Sequence, residues 1–167
     1  MAKLLIANYI EHIDVLTKIM AVRIGKDSTI YIQKDVLDKI FLSIKIYNYE
    51  TGGIIGVDKN GVISAFQYDE TQSLNPFEYC PNVKFLNQVI SEKWANQNIE
   101  FVGFMHSHLN NTVLSLQDVI YARDILKQNR CLKNIVIGVI NLGENKNHMK
   151  LYLIGMKEKL KISYIVV

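Results

Sequence analysis

Cysteine and proline are both scarce in this chain, two of each in 167 residues. Cys80 and Cys131 stand far apart and form no Cys-x-x-Cys pair. That excludes a disulfide framework and a cysteine-rich zinc site, and it suits a reducing cytoplasm. Long apolar runs are missing too, since no stretch approaches the roughly 20 residues of a membrane span. Leu4 to Ile10 is apolar apart from Asn8, but Glu11 and Asp14 interrupt it and no small-residue cleavage site follows, so no signal peptide is expected. No run of Lys and Arg occurs, and the net charge of +3 is spread along the chain. Neither a nucleic acid nor a membrane is therefore expected as a partner. Repeats, low-complexity tracts and linkers are absent as well, and nothing in the sequence assigns an oligomeric state.

What is present points to one folded domain. Hydrophobic residues make up 49% of the chain and charged residues 21%, with both signs interspersed. That balance supports a genuine core in a single domain over 1–167, with residues 1–27 as an N-terminal extension packing on it. Ser28 to Gln33 reads as a short strand. Asp35 caps a helix to about Tyr49, with Val36, Leu37, Ile40, Phe41, Ile44 and Tyr47 on one face. Gly52 to Val57 is an apolar strand, and Asp58-Lys-Asn-Gly61 turns it into a second strand, Val62 to Tyr68. Asp69 to Asn82 holds both prolines and reads as an exposed loop. A helix is predicted over Val83 to Asn96, a strand over Ile99 to His108, and a helix from Ser115 to about Gln128. Asn134 to Leu142 and Lys150 to Ile154 form a hairpin, and Leu160 to Val167 adds a last strand or helix. This order predicts a three-layer α+β or α/β domain, a mixed β-sheet flanked by helices.

The chemistry concentrates in Gly103 to Asp118. His106 and His108, one residue apart on a strand, point to the same face, so both imidazoles reach one ion. Asp118, ten positions past His108, offers a third ligand across a loop. Three protein ligands leave one tetrahedral position for water, the arrangement of a catalytic zinc. Peptide hydrolysis also needs a carboxylate near the metal to move protons. Glu50 is the candidate, because it precedes Gly52 and Gly53, which let the backbone lie close to the site. Ser115 is placed to donate a hydrogen bond to the oxyanion of a tetrahedral intermediate.

Each residue also has a plainer reading. Ser115-Leu-Gln-Asp118 fits a helix capping box, and His106 alone fits a hydrogen-bonded core histidine. Joint occurrence favours the metal, since two of only four histidines fall in His-x-His at the end of an apolar strand. Other metal classes fit less well. Asn110 breaks the His-x-His-x-Asp-His pattern, the chain is too short for an amidohydrolase barrel of about 250 residues, and His-Glu-x-x-His is absent. His12, His148 and Cys131 lack ligand spacing. Cys80 could reach the fourth position from its loop as an inhibitory thiolate.

Glu50-Thr-Gly-Gly-Ile-Ile-Gly56, His106-Ser-His108 and Ser115-Leu-Gln-Asp118 together resemble the signature of the JAMM (MPN-plus, JAB) metalloprotease family, over roughly residues 28–155. The resemblance implies a three-layer cytidine-deaminase-like MPN fold of a compact prokaryotic type. It implies one zinc ion on His106, His108 and Asp118, with Glu50 as general acid/base and Ser115 as oxyanion partner. It also implies hydrolysis of a peptide or isopeptide bond after the C-terminal glycine of a ubiquitin-like protein, with a bacterial conjugation or antiviral system as a setting. A sulfur-carrier protein or small peptide is the alternative substrate, and a metal-free MPN-minus scaffold the alternative class. Two features depart from the family: Leu109 stands where proline is usual, and the spacer from His108 to Ser115 is one residue short.

Overall fold

The computed structural model describes residues 28–44, 49–75, 77–142 and 147–167. Seven strands form the framework among them: β1 (Thr29–Ile32), β2 (Gly52–Val57), β3 (Ile63–Tyr68), β4 (Glu100–Ser107), β5 (Ile135–Leu142), β6 (Asn147–Ile154) and β7 (Lys159–Val166). Three helices join them: α1 (Lys34–Ser43), α2 (Val83–Gln88) and α3 (Leu116–Gln128). The strands run in the order β1-β3-β2-β4-β5-β6-β7, and β1 pairs with β7 to close a barrel. Three pairings are parallel, β1 with β3, β1 with β7 and β4 with β5, and the other four are antiparallel.

Closure overturns the expected three-layer sheet, and with it the cytidine-deaminase-like MPN fold that the resemblance implied. An open sheet flanked by helices needs two free edges, and here Thr29 to Ile32 lie beside Ser163 to Val166, removing both. The segment that decides this is β7, where Lys159-Leu-Lys-Ile-Ser-Tyr-Ile-Val166 left strand and helix both open. Only Ile162 within it is buried.

Alternation along β2 and β4 sorts the apolar residues into two cores. Ile54, Phe101 and Phe104 face α2 and α3, together with Trp94, Val119, Ala122 and Ile125. Ile55, Val102 and Met105 face the opposite way and join Ile30, Ile32, Val136, Leu151 and Ile162, with Val36, Ile40 and Ile44 of the α1 region. Phe101 and Phe104 share a face despite their odd spacing because the β2–β4 register shifts between Ile55 and Gly56. Fully burying side chains such as Ile55 or Met105 contributes about 1.5–3 kcal/mol each. At Gly103 the strands approach so closely that a Cβ would fall on the Val136 carbonyl oxygen of β5.

The hairpin turn follows its chemistry: the Asp58 carboxylate accepts from Asn60 N–H at 2.8 Å and Val62 N–H at 3.1 Å, and Gly61 takes φ 73°. The helix predicted from Val83 to Asn96 changes form along its length. An α-helical start passes into a π-helical stretch, Val89–Trp94, then a 3-10 turn, Ala95–Gln97, and stops at left-handed Asn98. The first helix ends at Ser43, short of Tyr49, and Tyr47 lies outside the described residues. The N-terminal extension, 1–27, also lies outside them. Among the described residues, no helix is long and apolar enough to cross a membrane.

Candidate metal centre

Three elements converge at the end of β4. Gly52 pairs with His106 across the β2–β4 ladder, and the pairing continues beyond it, because Ser107 N–H donates to the Thr51 carbonyl at 2.8 Å. Thr51 N–H in turn donates to Ser107 Oγ at 3.0 Å. Glu50, two residues before Gly52, is thereby carried to the face of His106 and His108. His108 N–H donates to the Ile140 carbonyl at 3.0 Å, so β5 holds the backbone just past the strand. The first turn of α3 supplies Asp118. Gly52 matters here because a Cβ would sit 2.9 Å from both His106 Cβ and the Tyr79 ring.

The donor atoms nearly touch. His106 Nε2 and His108 Nε2 are 2.9 Å apart. Asp118 Oδ1 lies 3.2 Å from His106 Nε2, and its Oδ2 lies 3.4 Å from His108 Nε2. A tetrahedral ion with bonds of about 2.0–2.1 Å to nitrogen holds its ligand atoms about 3.3 Å apart. The two ring nitrogens and the Asp118 carboxylate, one oxygen toward each ring, therefore stand at about the spacing such an ion needs. Two carboxylates compete for the third position. Glu50, His106 and His108 also offer donor atoms within 4.8 Å of one another, while each Asp118 oxygen lies within 3.4 Å of one ring nitrogen. That leaves the Glu50 carboxylate beside the cluster.

Electrostatics follow from this crowding. Burial alone would push the Asp118 carboxyl up, yet hydrogen bonds from His106, His108 and Ser115 outweigh it and hold it well below the usual range. Burial works against the His108 imidazolium, but the Asp118 hydrogen bond and the charges of Glu50 and Asp118 raise its pKa overall. Burial also raises the Glu50 carboxyl, opposed by the two histidines.

Ser115 caps α3 and forms the full capping box with Asp118. Its Oγ donates to Asp118 Oδ2 at 2.6 Å and accepts from Asp118 N–H at 3.1 Å. The capping and metal readings of this motif are thus compatible: the cap fixes the carboxylate that faces the histidines.

Three supporting residues carried no sequence signal. Asn111 lies near the His108 ring from the short spacer and favours its protonated form, while its Oδ1 accepts from Val113 N–H at 2.7 Å. Tyr79 stacks on the His106 ring at 6.1 Å and 16°, and its backbone hydrogen-bonds Glu50. Asp69, completely buried, accepts from Tyr79 Oη at 3.2 Å, Asn82 N–H at 2.6 Å and Thr71 N–H at 3.2 Å. The loop expected to be merely exposed is therefore pinned at both ends to one carboxylate. His106 Nδ1 is buried without a partner.

Beside the cluster lies a cavity of about 650 Å³, walled by the 73–81 loop and by α3 with its preceding segment. Cys80 lines it, while Cys131 is exposed on the surface. His148 sits exposed on β6 and His12 lies outside the described residues.

No family model matches the chain, and no curated protein matches it. Among solved structures, the solution structure of protein DSY2949 from Desulfitobacterium hafniense is similar, with a TM-score of 0.66 at 15% identity over 82% of this chain and 92% of that one. The likeness is one of fold.

Proposed function

We propose that this protein is a zinc-dependent peptidase of the JAMM type. It cleaves the peptide or isopeptide bond after the C-terminal glycine of a ubiquitin-like or sulfur-carrier protein in the cytoplasm. The observation that carries this reading is the convergence of three side chains: His106 Nε2 and His108 Nε2 lie 2.9 Å apart, with Asp118 Oδ1 3.2 Å from the first and Oδ2 3.4 Å from the second. Two imidazoles and one carboxylate are the donor set of a catalytic zinc with an open position. When bound, zinc polarises a carbonyl and brings water acidity near neutral pH.

The chain's own groups supply the rest. Glu50 stands beside the ligands, half-buried, and burial raises its carboxyl pKa, the direction that favours taking a proton from water and returning it to the departing amine. The Tyr79 backbone favours the ionised form of that carboxylate, and the Tyr79 ring lies near-parallel to His106. Ser115 can reach a developing oxyanion only by turning its hydroxyl from Asp118 Oδ2.

The test uses the purified chain with fusions of ubiquitin-like proteins cleaved after a terminal glycine. Expected results are about one zinc per chain and cleavage that a chelator stops. Glu50→Gln should abolish cleavage while retaining the metal. A protein that binds no zinc would sink the proposal.

A further inference from the structure

The cavity beside the metal cluster is larger than a glycine tail requires. At about 650 Å³ it falls within the range of small-molecule sites, roughly 300–1,000 Å³. Phe77, Tyr79 and Pro81 form one wall, Phe104, Leu114 and Tyr121 the other, and Glu50, His108 and Asp118 stand in the same lining. Tyr121 meets Phe104 edge to face at 5.6 Å, giving the apolar end a rigid aromatic surface. The charged groups of the lining other than His108 are Glu50, Glu78 and Asp118. No lysine or arginine lines it among the described residues, so an acidic side chain would find no fixed cation there.

We infer that this cavity is a specificity pocket for a bulky apolar side chain on a residue flanking the cleaved bond. Glycine leaves the pocket empty, and aspartate or glutamate is repelled by the carboxylates around it. Phenylalanine, leucine or methionine removes apolar surface from water on both partners. The inference rests on the peptidase reading for the position of the bond, while the pocket's chemistry stands on its own lining.

Two measurements test it. The first is a panel of ubiquitin-like fusions varied on each side of the cleaved bond, read as kcat/KM. At one position phenylalanine or leucine should exceed glycine by at least about tenfold, and glutamate should fall below glycine. Phe77→Ala, which removes an exposed ring and leaves the core intact, should erase most of that preference while glycine substrates stay within about twofold. The second measurement uses the metal-free chain and NMR. N-acetylphenylalanine amide should shift the Phe104 and Tyr121 resonances, and N-acetylglycine amide should not. Equal cleavage of glycine and bulky substrates, or equal shifts with the two amides, overturns the pocket. Shifts with phenylalanine alone, but no cleavage of any fusion, would keep the pocket and reject the peptidase.

Discussion

His108 is the residue whose surroundings most constrain the behaviour of the centre. A metal needs the neutral ring, and the raised pKa of His108 means protons compete for it at a higher pH than for a free histidine. Zinc affinity should be full above that pKa and fall as pH drops through it. A chelator-competition titration across neutral pH would read this, and affinity independent of pH would contradict it. Asn111→Ala removes a polar neighbour of the same ring. Zinc affinity should drop by up to about tenfold with the fold unchanged, the effect of losing one neighbour that helps orient the imidazole. Asp118→Ala goes further, because it removes a ligand and half the α3 capping box together. Metal should be lost, and thermal stability should fall by about 1 kcal/mol even without zinc.

At the scale of elements, the loop between β3 and α2 is held by Asp69. This carboxylate is fully buried and gathers Thr71, Tyr79 and Asn82. Asp69→Ala strands those donors, at a cost of about 2–3 kcal/mol. Hydrogen exchange at residues 71–82 should accelerate, and Tyr79 should lose its register on His106 and Glu50. The composition of this stretch announced a loop and nothing more. Its polar residues serve each other, and a pairing such as Asp69 with Asn82 has no period to detect. The strand β4 was legible because its apolar run ends in His-x-His, and α3 because Ser115 and Asp118 sit at capping spacing. The π-helical stretch at Val89–Trp94 was not legible, since it shares the apolar pattern of an α-helix and differs only in hydrogen-bond register.

For the whole molecule, closure of the barrel is the observed global feature and metal binding the proposed one. Gly103 sits where β4 and β5 are pressed together, so Gly103→Ala should destabilise the protein by about 3 kcal/mol, read by denaturant unfolding. Zinc at about a hundredfold its Kd should stabilise the native state by about 2.7 kcal/mol and raise Tm by roughly 5–10 °C. Calorimetry with and without chelator would measure that shift, and no shift would mean that no metal binds the folded state preferentially.

The amino-acid sequence by itself determined the chemistry: which donors exist, that His106 and His108 share a strand face, and that Asp118 opens a helix behind a serine cap. These follow from local periodicities of two and about 3.6 residues, which operate within a few positions of the chain. Tertiary structure alone decided that β7 would seal against β1, that Glu50 would arrive beside β4, and that Tyr79 and Asn111 would brace the centre. Such contacts join residues far apart along the chain, and their geometry depends on the packing of the whole barrel rather than on any neighbouring pattern.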